Sequence, residues 1–104
     1  MSGSIITGTC VCPGVVRGKV KRFAVGVTYT KSDIVLLEEW LTHEVLALKD
    51  AGALLSATGG ITSHASIIAR ELEIPSLIGV DITQLQEGQE VHVDTAEEKV
   101  EVLL

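Results

Sequence analysis

The chain has 104 residues, the size of one compact domain, and we predict a single domain over residues 1–104. Hydrophobic residues make up 46% of it but aromatic residues only 3%, so its core must be built from Val, Ile, Leu and Ala. The formal net charge of -6 disfavours a nucleic-acid binder or a module for anionic membranes, because both need a basic face. We therefore expect neither nucleic acid nor membrane as a partner.

A cytoplasmic location is expected, because residues 1–8 lack the charged start and long apolar segment of an export signal. No apolar stretch approaches the roughly 20 residues that span a bilayer. Cys10 and Cys12 have no second pair of cysteines with which to complete a four-thiolate zinc site. We predict reduced thiols and no metal site in this chain.

Three strands are predicted in the first third of the chain. Residues 5–12 and 19–25 are typical of strands, joined through Pro13-Gly14 and Gly18. Residues 34–37 form a short apolar run, which favours a buried strand.

A helix is predicted next, over residues 42–51, where apolar side chains recur at helical spacing. Thr42 is suited to cap its start, and Gly52 is suited to stop it.

A strand, a second helix and another strand follow, at residues 53–57, 63–72 and 76–80. A helix of about ten residues between two strands favours a parallel pair with a right-handed crossover. Ligands of such sheets bind at the carboxyl edge of the strands.

A hairpin is predicted at the C-terminal end of the chain. Val91 and Val93 alternate with polar residues, and so do Val100 and Val102 after a turn. The predicted fold class is therefore α/β, with a mixed sheet, helices and a C-terminal hairpin.

One segment carries the clearest chemistry, the run Gly-Gly-Ile-Thr-Ser-His-Ala-Ser-Ile-Ile-Ala-Arg at residues 59–70. Its two glycines allow a sharp turn out of a strand and leave room for a ligand near the main chain. Thr62 or Ser63 can cap the helix, which places His64 in the first turn. There the helix dipole disfavours imidazolium, and unpaired N–H groups attract an anion. A phosphoryl group bound to the histidine fits both conditions.

Four residues of the same helix are expected to anchor it on the sheet, at spacings of three and four. They are Ala65, Ile68, Ala69 and Leu72.

Residues 59–70 resemble the phosphohistidine signature of the phosphoenolpyruvate-utilising enzymes: pyruvate phosphate dikinase, phosphoenolpyruvate synthase and the first enzyme of the sugar phosphotransferase system. The flanking positions match as well, so that the resemblance covers nearly the whole chain: Pro13, Gly14, Gly18, Glu71, Leu72, Ile74, Pro75, Gly79, Gly88, Val93 and Asp94. The resemblance implies the swivelling β/β/α domain, also called the mobile domain. Its histidine takes a phosphoryl group at one active site and carries it to another.

By this resemblance His64 is the phosphorylated nucleophile. The resemblance implies that its neighbours bind phosphate or support the site: Gly59, Gly60, Thr62, Ser63, Ala65 and Arg70. Thr62 matches a threonine whose phosphorylation silences some plant and bacterial dikinases, a role that we do not carry over to this chain.

The sequence departs from the family in three respects. Glu73 stands where members usually have glycine, so the second helix must end without a glycine at its left-handed position. Ala57 and Thr58 stand where an acidic residue is common. The ATP-grasp domain and the phosphoenolpyruvate-binding barrel of the family are absent from these residues. We therefore expect separately encoded ATP-grasp and barrel proteins as partners, with Mg²⁺ at their sites and no cofactor in this chain.

Other functions remain open at this point. The chain could be a regulatory or interaction module whose histidine is never phosphorylated. A small swivel subunit of a larger lyase or hydratase is a further alternative, although such domains lack a Gly-Gly-x-Thr-Ser-His run. A hydrolase built on Ser63 or Ser66 with His64 is disfavoured, because neighbouring residues at a helix start cannot easily face each other and no orienting carboxylate is evident.

Overall fold

The computed structural model describes residues 4–103. The predictions for residues 1–8 and for the domain over residues 1–104 therefore lie partly outside the described residues. Residues 4–103 contain eight strands and two α-helices, in the order β1 (Ile5–Thr7), β2 (Thr9–Cys12), β3 (Val15–Arg22), β4 (Asp33–Leu37), α1 (Thr42–Ala47), β5 (Ala53–Ser56), α2 (His64–Glu71), β6 (Ser76–Ile78), β7 (Glu90–Asp94) and β8 (Lys99–Val102). A single turn of 3-10 helix, Ile82–Gln84, lies between β6 and β7.

All eight strands belong to one sheet, in the order β1-β8-β7-β3-β4-β5-β6-β2. Strands β3, β4, β5 and β6 are parallel neighbours, and the remaining pairs are antiparallel. Because β1 and β2 are separated only by Gly8, the sheet curls until its two ends meet there. The predicted mixed α/β fold is confirmed, and so is the C-terminal hairpin of β7 and β8.

Both helices pack on the same face of the parallel strands. Alternate residues of β4 and β5, such as Val35 and Leu54, form one apolar cluster with Val45 of α1 and Ala69 of α2. The intervening residues form a second cluster with the hairpin valines on the other side of the strands: Ile34, Leu36, Leu55, Val91, Val93 and Val100. The molecule therefore has a β/β/α arrangement of layers, with a core on each side of the parallel strands.

Several strand boundaries were predicted wrongly. The strand predicted over residues 19–25 spans Val15–Arg22, and those predicted to end at residues 57 and 80 end at Ser56 and Ile78. Glycines explain two of the differences. The strand predicted over residues 5–12 is interrupted at Gly8, where a Cβ would lie 2.7 Å from a Val80 methyl carbon. Gly18 lies inside β3 rather than before it, and glycine is needed there because a Cβ would clash with the Ser32 carbonyl oxygen. At both positions a neighbouring segment approaches the backbone too closely for a side chain.

The first helix is also shorter than predicted. α1 ends at Ala47, and the chain continues in turns up to residue 50. Thr42 is the first helical residue and not the cap, which is Leu41, a residue with no side-chain hydrogen-bond acceptor. Gly52 does not stop the helix but directly precedes β5. Glycine is needed at this position because a Cβ would clash with the Lys31 carbonyl oxygen.

The second helix ends without glycine. Glu73 adopts a left-handed backbone with φ of 56° directly after the helix. The Glu73 N–H donates to the Arg70 carbonyl, and the Ile74 N–H donates to the Ala69 carbonyl, which together form a Schellman motif. Of the four predicted anchors, Ala65 and Ala69 are buried, whereas Ile68 and Leu72 are only half-buried at the edge of the cluster.

Candidate functional site

His64 lies at the carboxyl edge of the parallel strands, as predicted. β4 and β5 end side by side, with Leu37 paired to Ser56. The loops that follow them, residues 38–41 and 57–63, therefore leave the sheet next to each other and lead into α1 and α2. His64 is the first residue of α2 and its side chain is exposed to solvent.

The imidazole of His64 contacts the neighbouring helix. Thr42 Oγ1 lies 3.4 Å from His64 Nδ1, so the first residues of α1 and α2 meet through their side chains. This contact is made at Nδ1, and among the described residues Nε2 has no protein hydrogen-bond partner. Thr42 was predicted only as a helix cap, and its place beside the histidine was missed.

Ser63 caps α2, which resolves the choice between Thr62 and Ser63. Its hydroxyl accepts a hydrogen bond from the Ser66 N–H at 3.3 Å. Among the described residues, the backbone N–H groups of His64 and Ala65 have no protein acceptor. These two donors are available to an anion beside the histidine.

The two glycines before the helix play different roles. Gly59 has φ of +135°, and a Cβ there would lie 2.9 Å from three side-chain atoms of Trp40. Gly60 has neither constraint, since a Cβ there would meet nothing within 4 Å. Its carbonyl accepts hydrogen bonds from the Ser63 N–H and the Ser66 hydroxyl. The need for glycine is therefore structural at Gly59 and not at Gly60.

A buried hydrogen-bond network underlies the loop. The Trp40 indole N–H donates to Ser66 Oγ at 2.8 Å, and the Ser66 hydroxyl donates to the Gly60 carbonyl at 2.6 Å. Thr58 adds a second connection, because its hydroxyl donates to the Glu38 carbonyl of the neighbouring loop at 3.1 Å. Sequence reasoning missed Trp40 and Ser66 as partners, since they are 26 positions apart in the chain and give no local signal.

Arg70 holds the loop from its other side. Its guanidinium donates to the Ile61 carbonyl at 3.0 Å and to the Val11 carbonyl at 3.4 Å. The loop before His64 is thereby connected to strand β2. These contacts support the site; binding of phosphate by Arg70 stays a prediction. Thr62 is exposed in the same loop, and Ala65 is buried against the sheet.

The titratable groups with shifted pKa lie away from His64. Burial raises the pKa of the Cys10 thiol, an effect that a Thr95 hydrogen bond opposes and the charge of Glu98 reinforces. Burial likewise raises the pKa of Cys12. Hydrogen bonds from Thr83 and Gln84 lower the pKa of Asp81, which caps the 3-10 helix.

Within residues 4–103, no group of three or more His, Cys, Asp or Glu side chains is placed to hold a metal ion. None of the helices in this part of the chain is long and apolar enough to cross a bilayer. A cavity of about 260 Å³ opens beside the start of α1, lined by Arg22, Glu38, Glu39 and Glu44 among others. None of the predicted site residues lines this cavity.

A curled mixed sheet with two helices on one face forms the predicted β/β/α fold, and His64 stands exposed at a helix start on its carboxyl edge. The sequence profile of the family described as "PEP-utilising enzyme, mobile domain" matches residues 29–98. The chain belongs to this family.

Relatives in other organisms are much longer proteins. The chain is 33% identical over 100 residues to the probable phosphoenolpyruvate synthase of Archaeoglobus fulgidus, a match that covers 86% of this chain and 13% of that protein. It is 35% identical over 99 residues to the phosphoenolpyruvate synthase of Aeropyrum pernix, covering 86% of this chain and 12% of that protein. The phosphoenolpyruvate-protein phosphotransferase of Mycoplasma pneumoniae is 41% identical over 69 residues, which covers 62% of this chain and 12% of that protein.

Solved structures share the fold. An NMR structure of Enzyme I (nEIt) superimposes with a TM-score of 0.60 at 30% identity, covering 74% of this chain and 32% of that one. Thermococcus kodakaraensis aconitase X superimposes with a TM-score of 0.75 at 22% identity, covering 98% of this chain and all of that one. The second likeness concerns the fold alone.

Proposed function

We propose that this chain is a phosphoryl carrier, in which His64 is transiently phosphorylated. The phosphoryl group would move between a nucleotide site and a phosphoenolpyruvate/pyruvate site on partner chains. The observation that supports this most directly is the geometry of His64, an exposed histidine at a helix start whose Nδ1 is held by Thr42. A single domain over residues 1–104 and a cytoplasmic setting are parts of the same proposal.

The Thr42 contact favours Nε2 as the attacking atom. In the tautomer with the proton on Nδ1, the ring N–H donates to the Thr42 hydroxyl and Nε2 keeps its lone pair. That lone pair attacks the phosphorus of a nucleotide or an enol phosphate. An N–P bond forms, a P–O bond breaks, and its electron pair leaves with the oxygen of the donor. The ring keeps its Nδ1 proton throughout, so Thr42 stabilises the positive charge that develops on the imidazole.

The first turn of α2 can bind the transferred phosphoryl group. The N–H groups of His64 and Ala65 are free to donate to phosphoryl oxygens, and the positive end of the helix dipole favours their negative charge. The surface around the histidine includes two exposed apolar side chains, Ile61 and Ile67, which are 50% and 43% exposed. A partner that covers His64 during transfer would bury them.

The donor chemistry must come from the partners. A helix N-terminus contributes roughly 0.3 to 2 kcal/mol of anion stabilisation. Enzymes lower such barriers by roughly 8 to 23 kcal/mol or more. Mg²⁺ and fixed cations at a donor site on an ATP-grasp or barrel partner would supply the difference. We therefore expect no turnover by this chain alone with ATP or phosphoenolpyruvate.

The proposal is tested by labelling the purified chain. It is incubated with Mg²⁺ and either 32P-phosphoenolpyruvate or ATP labelled at its β or γ phosphate, with and without an extract of cells that express it. Label should appear only with extract, should resist base and be lost in acid, and should map to His64. The His64→Ala variant should take up none, whereas His43→Ala, which removes an exposed histidine of α1, should label normally.

Two results would contradict the proposal. Label that persists in the His64→Ala variant, or that survives acid, would place the phosphoryl group on a hydroxyl such as Thr62 or Ser63. A wild-type chain that stays unlabelled with every donor and extract would favour the interaction module.

A further inference from the structure

We propose that Trp40 and Ser66 are positioning residues for His64, which together hold the imidazole against Thr42. Neither residue touches the reacting atoms. Their effect on phosphoryl transfer rests on the proposed function, whereas their effect on the histidine ring can be measured without any transfer.

The two residues belong to the two different chain segments that form the site. Trp40 precedes Thr42 by two residues in the loop that leads into α1, and Ser66 follows His64 by two residues in α2. The hydrogen bond from the Trp40 indole to Ser66 Oγ, at 2.8 Å, therefore connects the chain segment of Thr42 to that of His64. Trp40 is 7% exposed and Ser66 is fully buried, so water cannot readily replace either partner.

Ser66 also connects the helix to the loop before it. Its hydroxyl donates to the Gly60 carbonyl at 2.6 Å and lies 3.2 Å from the Ser63 hydroxyl. The indole meanwhile packs against Gly59, where a Cβ would lie 2.9 Å from it. One tryptophan thus fixes the glycine turn by packing and the first turn of α2 by a hydrogen bond.

This arrangement matters because a small displacement of either side chain would break the Thr42–His64 hydrogen bond. At 3.4 Å the Thr42–His64 distance is at the long end for a hydrogen bond, and a further displacement of a few tenths of an ångström would break it. α1 has only six residues and its Leu41 cap makes no side-chain hydrogen bond, so α1 is held against α2 mainly by apolar packing of Val45. Within residues 4–103, the Trp40–Ser66 hydrogen bond is a buried polar contact that joins the two segments, whereas the Thr58–Glu38 hydrogen bond between the two loops is exposed.

The first test is the ring tautomer of His64, followed by nitrogen-15 NMR of the unphosphorylated chain. We expect the Nδ1–H form to dominate in the wild type and the Nε2–H form to gain population in Ser66→Ala and Trp40→Phe. Ser76→Ala is the matched control, because Ser76 is also a fully buried serine that donates to a backbone carbonyl, but in β6. A tautomer ratio equal to that of the wild type in both folded variants would overturn the proposal.

The second test is the rate of extract-supported labelling at saturating donor. Ser66→Ala should lower the maximal rate on the order of tenfold with a small change in the donor concentration at half-maximal rate, as expected for misalignment. Ser76→Ala should keep the wild-type rate. If the variants alter the ring tautomer but the wild-type chain is never labelled, the positioning role stands and the carrier function is rejected. Equal rate losses in Ser66→Ala and Ser76→Ala would show that Ser66 acts only through the stability of the fold, and would overturn the positioning role.

Discussion

Thr42 Oγ1 lies 3.4 Å from Nδ1 of His64, and this contact joins the first residues of the two helices. The two residues are 22 positions apart in the chain. They meet because β4 and β5 are parallel neighbours, so the loops that follow them leave the same edge of the sheet. The fold therefore provides the histidine with a hydrogen-bond partner on a separate element.

Replacing Thr42 by valine should slow phosphorylation of His64 without unfolding the chain. The change keeps the shape of the side chain and removes its hydroxyl. A net hydrogen-bond contribution of about 0.5 to 1.5 kcal/mol corresponds to a rate roughly 2 to 10 times lower. Initial rates of labelling measure it, with Thr28→Val, at an exposed loop position, as the control. A Thr42→Val rate equal to that of the wild type would mean that the contact does not assist transfer.

The adjacent glycines of the loop should respond differently to alanine. Gly59→Ala should lower the free energy of unfolding by about 1 to 3 kcal/mol, because alanine is strained at φ of +135° and its methyl group would meet Trp40. Gly60→Ala should change stability by less than about 0.5 kcal/mol, because its Cβ would point into open space. Urea unfolding of both variants measures the difference. Similar losses at the two positions would contradict this account of the loop.

Replacing Glu73 by glycine should stabilise the protein. A left-handed backbone costs a non-glycine residue roughly 1 to 2 kcal/mol, part of which the greater freedom of glycine in the unfolded chain offsets. We expect a gain of about 0.5 to 1 kcal/mol and a Tm higher by roughly 2 to 8 °C. Glu71→Gly, inside the end of α2, is the control and should instead cost about 0.5 to 1 kcal/mol. Thermal unfolding measures both. A Tm of Glu73→Gly below that of the wild type would show that the glutamate makes a compensating contact.

The two cysteines should make stability fall with rising pH above neutrality. Burial raises the pKa of both thiols, so the folded state holds their protons more tightly than the unfolded state does. Their contribution is fully present below the unfolded thiol pKa of about 8.5 and is lost as the pH rises through the folded values. Urea unfolding between pH 7 and 10 measures this, with the Cys10→Ala and Cys12→Ala double variant as the control. A double variant with the same pH dependence as the wild type would assign the effect to other groups.

The fold and the position of His64 could be predicted from sequence because each depends on a local pattern. Alternation of Val91, Val93 and Val100 with polar residues predicted the hairpin, and the glycine pair followed by hydroxyls and an apolar stripe predicted the start of α2. In these segments the spacing of the residues and the structure they form have the same period.

The remaining features depend on contacts between distant segments. The strand break at Gly8 was missed and Gly18 was wrongly placed between strands, because the atoms that exclude a side chain there belong to Val80 and Ser32, far away in the sequence. Trp40 was missed for the same reason, since it lies in the loop before α1 and its partner Ser66 lies in α2. α1 ends early although its apolar spacing continues, so spacing alone did not locate its end.

The most direct test of the carrier function is a chase of the labelled protein. The chain is labelled on His64, freed of donor, and returned to the extract with Mg²⁺ and either pyruvate or an adenine nucleotide with phosphate or pyrophosphate. A carrier should release its label within minutes into phosphoenolpyruvate in the first case and into nucleotide in the second, and should then accept label again. Label that remains on His64, or that leaves only as inorganic phosphate with every acceptor, would contradict the account and indicate a regulatory modification.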